Sequence, residues 1–295
     1  MLSKLFLFLF FLLFGCSRSS DPAPENKKPL VLVSIAPYKS LTERIAGGAL
    51  AVQTIIPPRS NPHAFEPTSR QVMEISHGQI WFRIGEPFEE KILPLLVESS
   101  PALYIADLRD GIELKPADED HKCSHFSNEH LDRHIWLSPK LAAIQAKHIA
   151  EVLIEQFPQY EERFAKNLQN CLAELLLLDQ EIQQLLAPLQ ERSFIVSHPA
   201  FGYFCREYGL EQLSVEQEGK DPRPRHLKEM LAKARKTHAA IALALPQHNN
   251  KGAQVIASQM KVPIRMIDPY SADYFDTMRN LARMIAEPQK EVSIP

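Results

Sequence analysis

The chain has 295 residues, enough for two domains or one large one, and its 45% hydrophobic and 23% charged residues make an ordinary globular balance. A formal net charge of -3 with no long basic block excludes nucleic acid as the expected partner. The 23 prolines against 10 glycines favour rigid connections over flexible ones.

The first segment, MLSKLFLFLFFLLFGC, carries one lysine, an apolar run from Leu5 to Phe14, and then Gly15-Cys16. That run has the length of a signal-peptide core and is too short for a permanent membrane span. Leu13-Phe14-Gly15-Cys16 resembles a bacterial lipobox, with Phe14 bulkier than the usual small residue. Residues 1–15 are therefore expected to be a signal peptide, with cleavage before Cys16 and a lipid on its thiol. The alternative is an ordinary signal peptide with an incidental cysteine; the polar tether that follows favours the first. Residues 16–29 are polar and contain prolines, the composition of a tether.

From residue 30 short apolar runs alternate with amphipathic stretches. Strands are predicted over PLVLVSI (29–35), AVQTII (51–56), QIWFRI (79–84) and ALYIAD (102–107). The helical stretches between them are PYKSLTERIAGG, TSRQVMEIS and PFEEKILPLLVE. Continuous apolar strands in βαβ alternation mark a mostly parallel sheet covered on both faces. Residues 30–157 are thus read as an N-terminal α/β lobe, interrupted at 110–133 by an acidic, histidine-containing loop without periodicity. The helix that follows that loop has Ser138 as its expected cap and Pro139 in its first turn.

The longest helical pattern, over residues 158–188, repeats apolar residues at three- or four-residue spacing or its multiples, from Tyr160 and Phe164 to Ile182 and Leu186. At ~1.5 Å per residue it would run on the order of 40 Å, the length of a domain pair. The alternation then restarts over 189–295, with strands SFIVS, EQLSVE, AAIALAL and PIRMI and helices between them. The fold class expected is α/β, two lobes of parallel-type sheet with flanking helices joined by one long backbone helix.

Candidate ligands fall just past apolar strands. His63 sits in NPHAFEP, between Pro62 and Pro67, whose rings stiffen the chain around its imidazole. His198 immediately follows SFIVS and Asp268 immediately follows PIRMI. Ligands of open α/β sheets bind beyond the carboxyl ends of strands. His134 lies in LDRHIWLSP, where the polar loop gives way to a helix. Singly, each residue is as well explained by packing, a turn or a cap. Three histidines and a carboxylate at such ends in both halves point to a four-donor site for zinc or another first-row metal.

NPHAFEPTS, DRHIWLSP, SHPAFGYFCREYGL and IDPYSAD resemble, in order and spacing, the metal-site segments of ABC-transporter solute-binding proteins for zinc and manganese. This is the ZnuA/TroA/PsaA-like group, cluster A-I or cluster 9, and the similarity spans about residues 30–288. The resemblance implies two lobes on one rigid helix, with a metal in the cleft held by His63, His134, His198 and Asp268. A histidine at the third position matches the zinc-binding and TroA-like branches, whereas the PsaA-like manganese branch has a carboxylate there. Two positions depart from the pattern: Arg70 replaces an aspartate, and Ser138 replaces the aspartate before Pro139.

The resemblance further implies one divalent metal ion as cargo, zinc first and manganese or iron next, delivered to an ABC permease and its ATPase. The expected protein is a monomer, periplasmic or on the outer face of the cytoplasmic membrane, held there by lipid at Cys16. His121, His125 and His130 in the acidic loop make a weak accessory metal site, with a solvated loop as the equal alternative. Cys123 could join them; Cys171 and Cys205 read as small buried hydrophobes. The competing functions are a secreted metal-dependent hydrolase and a metal-binding surface adhesin. Against the hydrolase, the chain has no HExxH: His130 and His134 in EHLDRH have the spacing, but the glutamate lies outside the pair.

Overall fold

The computed structural model describes residues 28–116, 131–216 and 222–287. Residues 1–15, Cys16, His121, Cys123, His125 and His130, with the roles expected of them, lie outside the described residues. Strands form at all the predicted runs: β1 Leu30–Val33, β2 Ala51–Thr54, β3 Ile80–Arg83, β4 Tyr104–Asp107, β5 Ser193–Val196, β6 Glu211–Ser214, β7 Ala242–Ala244 and β8 Ile264–Met266. They make two four-stranded sheets, ordered β2-β1-β3-β4 and β6-β5-β7-β8. Every pairing is parallel.

The helices are α1 Ala36–Ala46, α2 Ser69–Ser76, α3 Pro87–Ser99, α4 Pro139–Gln156, α5 Glu161–Leu186, α6 Gly202–Tyr208, α7 Pro224–Lys236, α8 Lys251–Met260 and α9 Tyr274–Ala286. Local chemistry sets their ends. Gly47, at φ +55°, takes the left-handed conformation that closes α1. Ser138 accepts the Leu141 amide and caps α4, as its sequence position predicts. Helix α6 begins at Gly202, three residues after Pro199, and the Phe201 amide just before it donates to the Gln212 side chain at 2.9 Å.

Helix α5 buries Phe164, Cys171, Leu175, Leu178, Ile182 and Leu186 along one stripe. Its polar side chains hold both halves: Asn167 donates to the Ile45 carbonyl and Glu174 pairs with Arg44, both on α1. Farther along, Asp179 accepts from Tyr208 of α6 and Glu181 pairs with Arg279 of α9. One continuous core runs from the first sheet through α5 to α9. Cys171 and Cys205 are buried free thiols. No helix among the described residues is long and apolar enough to cross a membrane.

Candidate metal centre

The strand order decides where the site lies. In both sheets the first strand of the half is internal, and the loops leaving the carboxyl ends of β2, β3, β5, β6, β7 and β8 carry the polar side chains that meet. His63 follows β2 in a single 3-10 turn over Pro62–Ala64, where the Asn61 side chain accepts the His63 amide at 3.0 Å. His134 precedes another 3-10 turn, Ile135–Leu137. His198 lies two residues past β5.

These three imidazoles come together from both halves, with nitrogen atoms all within 4.8 Å of one another. Their ring centroids are 5.3 Å (His63–His134), 5.1 Å (His63–His198) and 5.3 Å (His134–His198) apart. Asp268 does not join this set. Its Oδ1 accepts from the Gln247 side chain at 2.7 Å and from the Tyr270 amide at 2.9 Å. A second group among the described residues, sharing only His198 with the first, brings in Glu216, which follows β6, and His248, which follows β7.

Behind each imidazole stands a carboxylate. Glu86, fully buried after β3, meets His63 Nδ1 at 3.0 Å. Asp132 meets His134 Nδ1 at 2.8 Å and accepts the His134 amide at 2.9 Å. Glu216 meets His198 Nδ1 at 3.1 Å. A carboxylate on Nδ1 fixes the tautomer with the proton there and leaves the Nε2 lone pair for a ligand. His198 Nε2 is buried with no hydrogen-bond partner. The Tyr270 hydroxyl lies 3.0 Å from His134 Nε2 and 3.4 Å from His63 Nε2, so it fills part of the same space.

Charge follows from burial and from these pairs. Burial drives His134 and His198 down to about 3, which keeps both neutral and competent to ligate. Burial also works against a charge on His63, but the Glu86 carboxylate, by its field and its hydrogen bond, outweighs it and raises that imidazole. Glu216 resists its own burial through the hydrogen bonds of His198 and His248 and falls to about 2. Asp132 is pushed up to about 7 by burial, which its hydrogen bond from the His134 amide only partly offsets.

Glycine at 202 makes room for this arrangement. A Cβ there would stand 2.6 Å from Asp132 Oδ2, so the carboxylate has to move. Gly202→Ala is expected to displace Asp132 and to weaken metal binding ~10–100-fold, the usual cost of disturbing a ligand's own hydrogen-bond partner. Competitive metal titration reads the loss, and a circular dichroism spectrum like that of the parent confines the change to the site.

Glu86, Asp132, Glu216, His248 and Tyr270 were not among the residues expected. Three of them stand where a strand-end rule could find them: Glu86 three residues past β3, Glu216 two past β6 and His248 four past β7.

The geometry agrees with known proteins. The family model described as ZnuA, zinc-uptake complex component A, periplasmic, matches residues 31–288. A protein of Chlamydia trachomatis serovar D, named for metal binding, is 30% identical over 283 residues, covering 96% of this chain and 98% of its own. The high-affinity zinc uptake system protein ZnuA of Bacillus subtilis is 27% identical over 226 residues, 73% of this chain and 70% of its own. A crystal structure of ZnuA superposes with a TM-score of 0.82 at 31% identity, over 89% of this chain and 99% of that one. The chain belongs to the family of zinc-uptake complex component A, the ZnuA-like metal-binding solute-binding proteins.

Proposed function

We propose that the protein captures a divalent transition metal outside the cytoplasmic membrane and hands it to an ABC permease driven by its ATPase. The observation that carries the reading is the trio His63, His134 and His198, each with Nδ1 against a carboxylate and Nε2 turned inward. These three imidazoles hold the ion. The fourth donor comes from the loops after β7 and β8, where His248 and Asp268 stand. Family membership favours binding and release over hydrolysis, so the protein works without catalysing a reaction. Nitrogen donors favour zinc over manganese and ferrous iron in affinity. The protein acts as a monomer, and lipid on Cys16 keeps it at the membrane surface; labelled fatty acid incorporated by the parent and not by Cys16→Ala checks that anchor.

Competitive titration with zinc, manganese and ferrous iron tests the reading. Zinc binds most tightly, and His63→Ala weakens all three metals; unchanged affinity in that variant for every metal would end the proposal. The pH profile has a sharp form. A proton on Nε2 excludes the metal, and a raised pKa brings that competition to higher pH. The Glu86 carboxylate raises His63 above the ordinary imidazole range, whereas His134 and His198 accept a proton only near 3. Affinity therefore falls with one proton, ~tenfold per pH unit, through roughly pH 4 to 6. Three imidazoles titrating together would give a slope near three.

A further inference from the structure

The outer layer of the C-terminal half is charged in one sense. Helices α7 and α8 pack on the same face of the second sheet, over Ile195, Leu213, Ala234, Ala242 and Ile256, a core separate from the one that runs through α5. From Arg223 to Lys261 the chain carries eight lysines and arginines, and its one acid is Glu229. The whole chain is net negative, at -3, so the rest of it is strongly acidic. Lys233 is half-buried and pairs with Glu211, and the other seven cations are exposed. Arg225 pairs with Glu229. Among the described residues the remaining six make no ion pair; they include Lys228, Arg235 and Lys236 on α7, and Lys251 and Lys261 at either end of α8. Arg225, Lys228, Arg235 and Lys236 share one stripe of α7, opposite the buried Ala234.

The sheet edge adds apolar groups. Ile264 and Met266 of β8 lie in register with Ala242 and Ala244 of β7, so they face the side that α7 and α8 cover. Because β8 is an edge strand, both side chains stay exposed, at 39% and 55%, as does Val255 of α8 at 52%. Cations around a few exposed apolar side chains suit an interface where charge attracts and apolar groups enter shallowly.

We infer that this α7–α8–β8 face lies on the anionic phospholipid headgroups of the membrane beside which the protein works. The inference relies on the metal-capture reading only for that location. A headgroup layer presents diffuse negative charge without fixed geometry. Unpaired cations spread over two helices match it better than they match the individually paired charges of a protein interface. The attraction fades over a Debye length of ~10 Å at 0.1 M salt, so it orients a protein already held at the surface. It also sets which side of the C-terminal half turns toward the bilayer, which an anchor at Cys16 alone leaves open.

Vesicle sedimentation tests the inference. The chain from residue 16, with Cys16→Ala so that no acyl chain inserts, is mixed at ~0.1 M salt with vesicles of phosphatidylcholine, alone or with about one third phosphatidylglycerol. It is expected to bind the anionic vesicles and not the neutral ones, and higher salt releases it. Each cation removed costs ~fivefold in partitioning, so Lys228→Ala/Arg235→Ala/Lys236→Ala loses ~100-fold. Zinc titration of that variant matches the parent, which separates the loss from the metal site and shows an intact fold. If the triple variant misfolds, Lys228→Ala and Lys236→Ala singly show ~fivefold each. Failure to bind anionic vesicles, equal binding to both kinds, or unchanged binding in these variants would overturn the inference. So would binding to poly-L-glutamate instead of the vesicles, which gives the face to an acidic protein partner. Absence of zinc binding in the parent would end the metal-capture reading and leave the vesicle result standing.

Discussion

His134→Ala is expected to lower zinc affinity roughly 10²–10³-fold. A structural zinc site is worth ~10–16 kcal/mol, so one ligand in four carries ~2.5–4 kcal/mol on an even division. His134 should fall at the upper end, because its position leaves the vacancy unfilled. It is 5% exposed, so water has little access to replace the missing nitrogen, whereas the His63 side chain is 26% exposed and can be replaced by water. The substitution also strips Asp132, itself buried, of its ring partner. Only the amide bond at residue 134 then remains from that residue to the carboxylate. The measurement is the rise in melting temperature on adding zinc: a thousandfold excess over Kd stabilises the parent by ~4 kcal/mol. In His134→Ala the same zinc concentration is only ~1–10 times Kd and stabilises by ~0.4–1.4 kcal/mol, so most of the rise is expected to be lost, and a full parental rise would show that His134 does not touch the ion.

Trp136→Ala is expected to cost ~3–5 kcal/mol of stability, a large part of the ~5–15 kcal/mol that holds a typical domain together. The ring is fully buried between the halves and neighbours Tyr38, His134 and Tyr270. Its Nε1 donates to the Pro269 carbonyl at 2.9 Å, on the loop that follows β8. Alanine removes the volume and leaves that carbonyl without its donor. Trp136→Phe keeps most of the volume and should lose less. Urea unfolding checks both, with an expected midpoint order of parent, Trp136→Phe, Trp136→Ala. Metal affinity should fall in the same order, since the ring lies 5.3 Å from that of His134. A destabilised Trp136→Ala that binds zinc as tightly as the parent would uncouple the packing from the site.

The fold was readable because the internal strands β1, β3, β5 and β7 are mostly buried and appear as apolar runs that turn residues delimit, while the more exposed edge strands alternate with them at regular spacing. Contacts between distant residues were not, such as the bond that the Phe201 amide before α6 makes to the Gln212 side chain eleven residues away. The site divides the same way. His63, His134 and His198 were legible because each sits at a chain position that the strand-end rule or the family resemblance marks. Their carboxylate partners depend on which loops the sheets bring together. Glu86 lies 23 residues beyond His63, in the loop after β3, and Glu216 lies 18 beyond His198 and 32 before His248. Asp268 was the natural choice for fourth donor by resemblance, and only the Gln247 side chain shows what its carboxylate is doing in this conformation.

The long helix α5 has a consequence for how cargo leaves. His63 and His134 belong to the chain before it, and His198 to the chain after it. On the capture reading proposed above, the donors therefore come from both sides of α5, and parting the halves would withdraw one side's donors together. Binding would then report the spacing of the halves, and a partner that levers them apart would need no ligands of its own to empty the site.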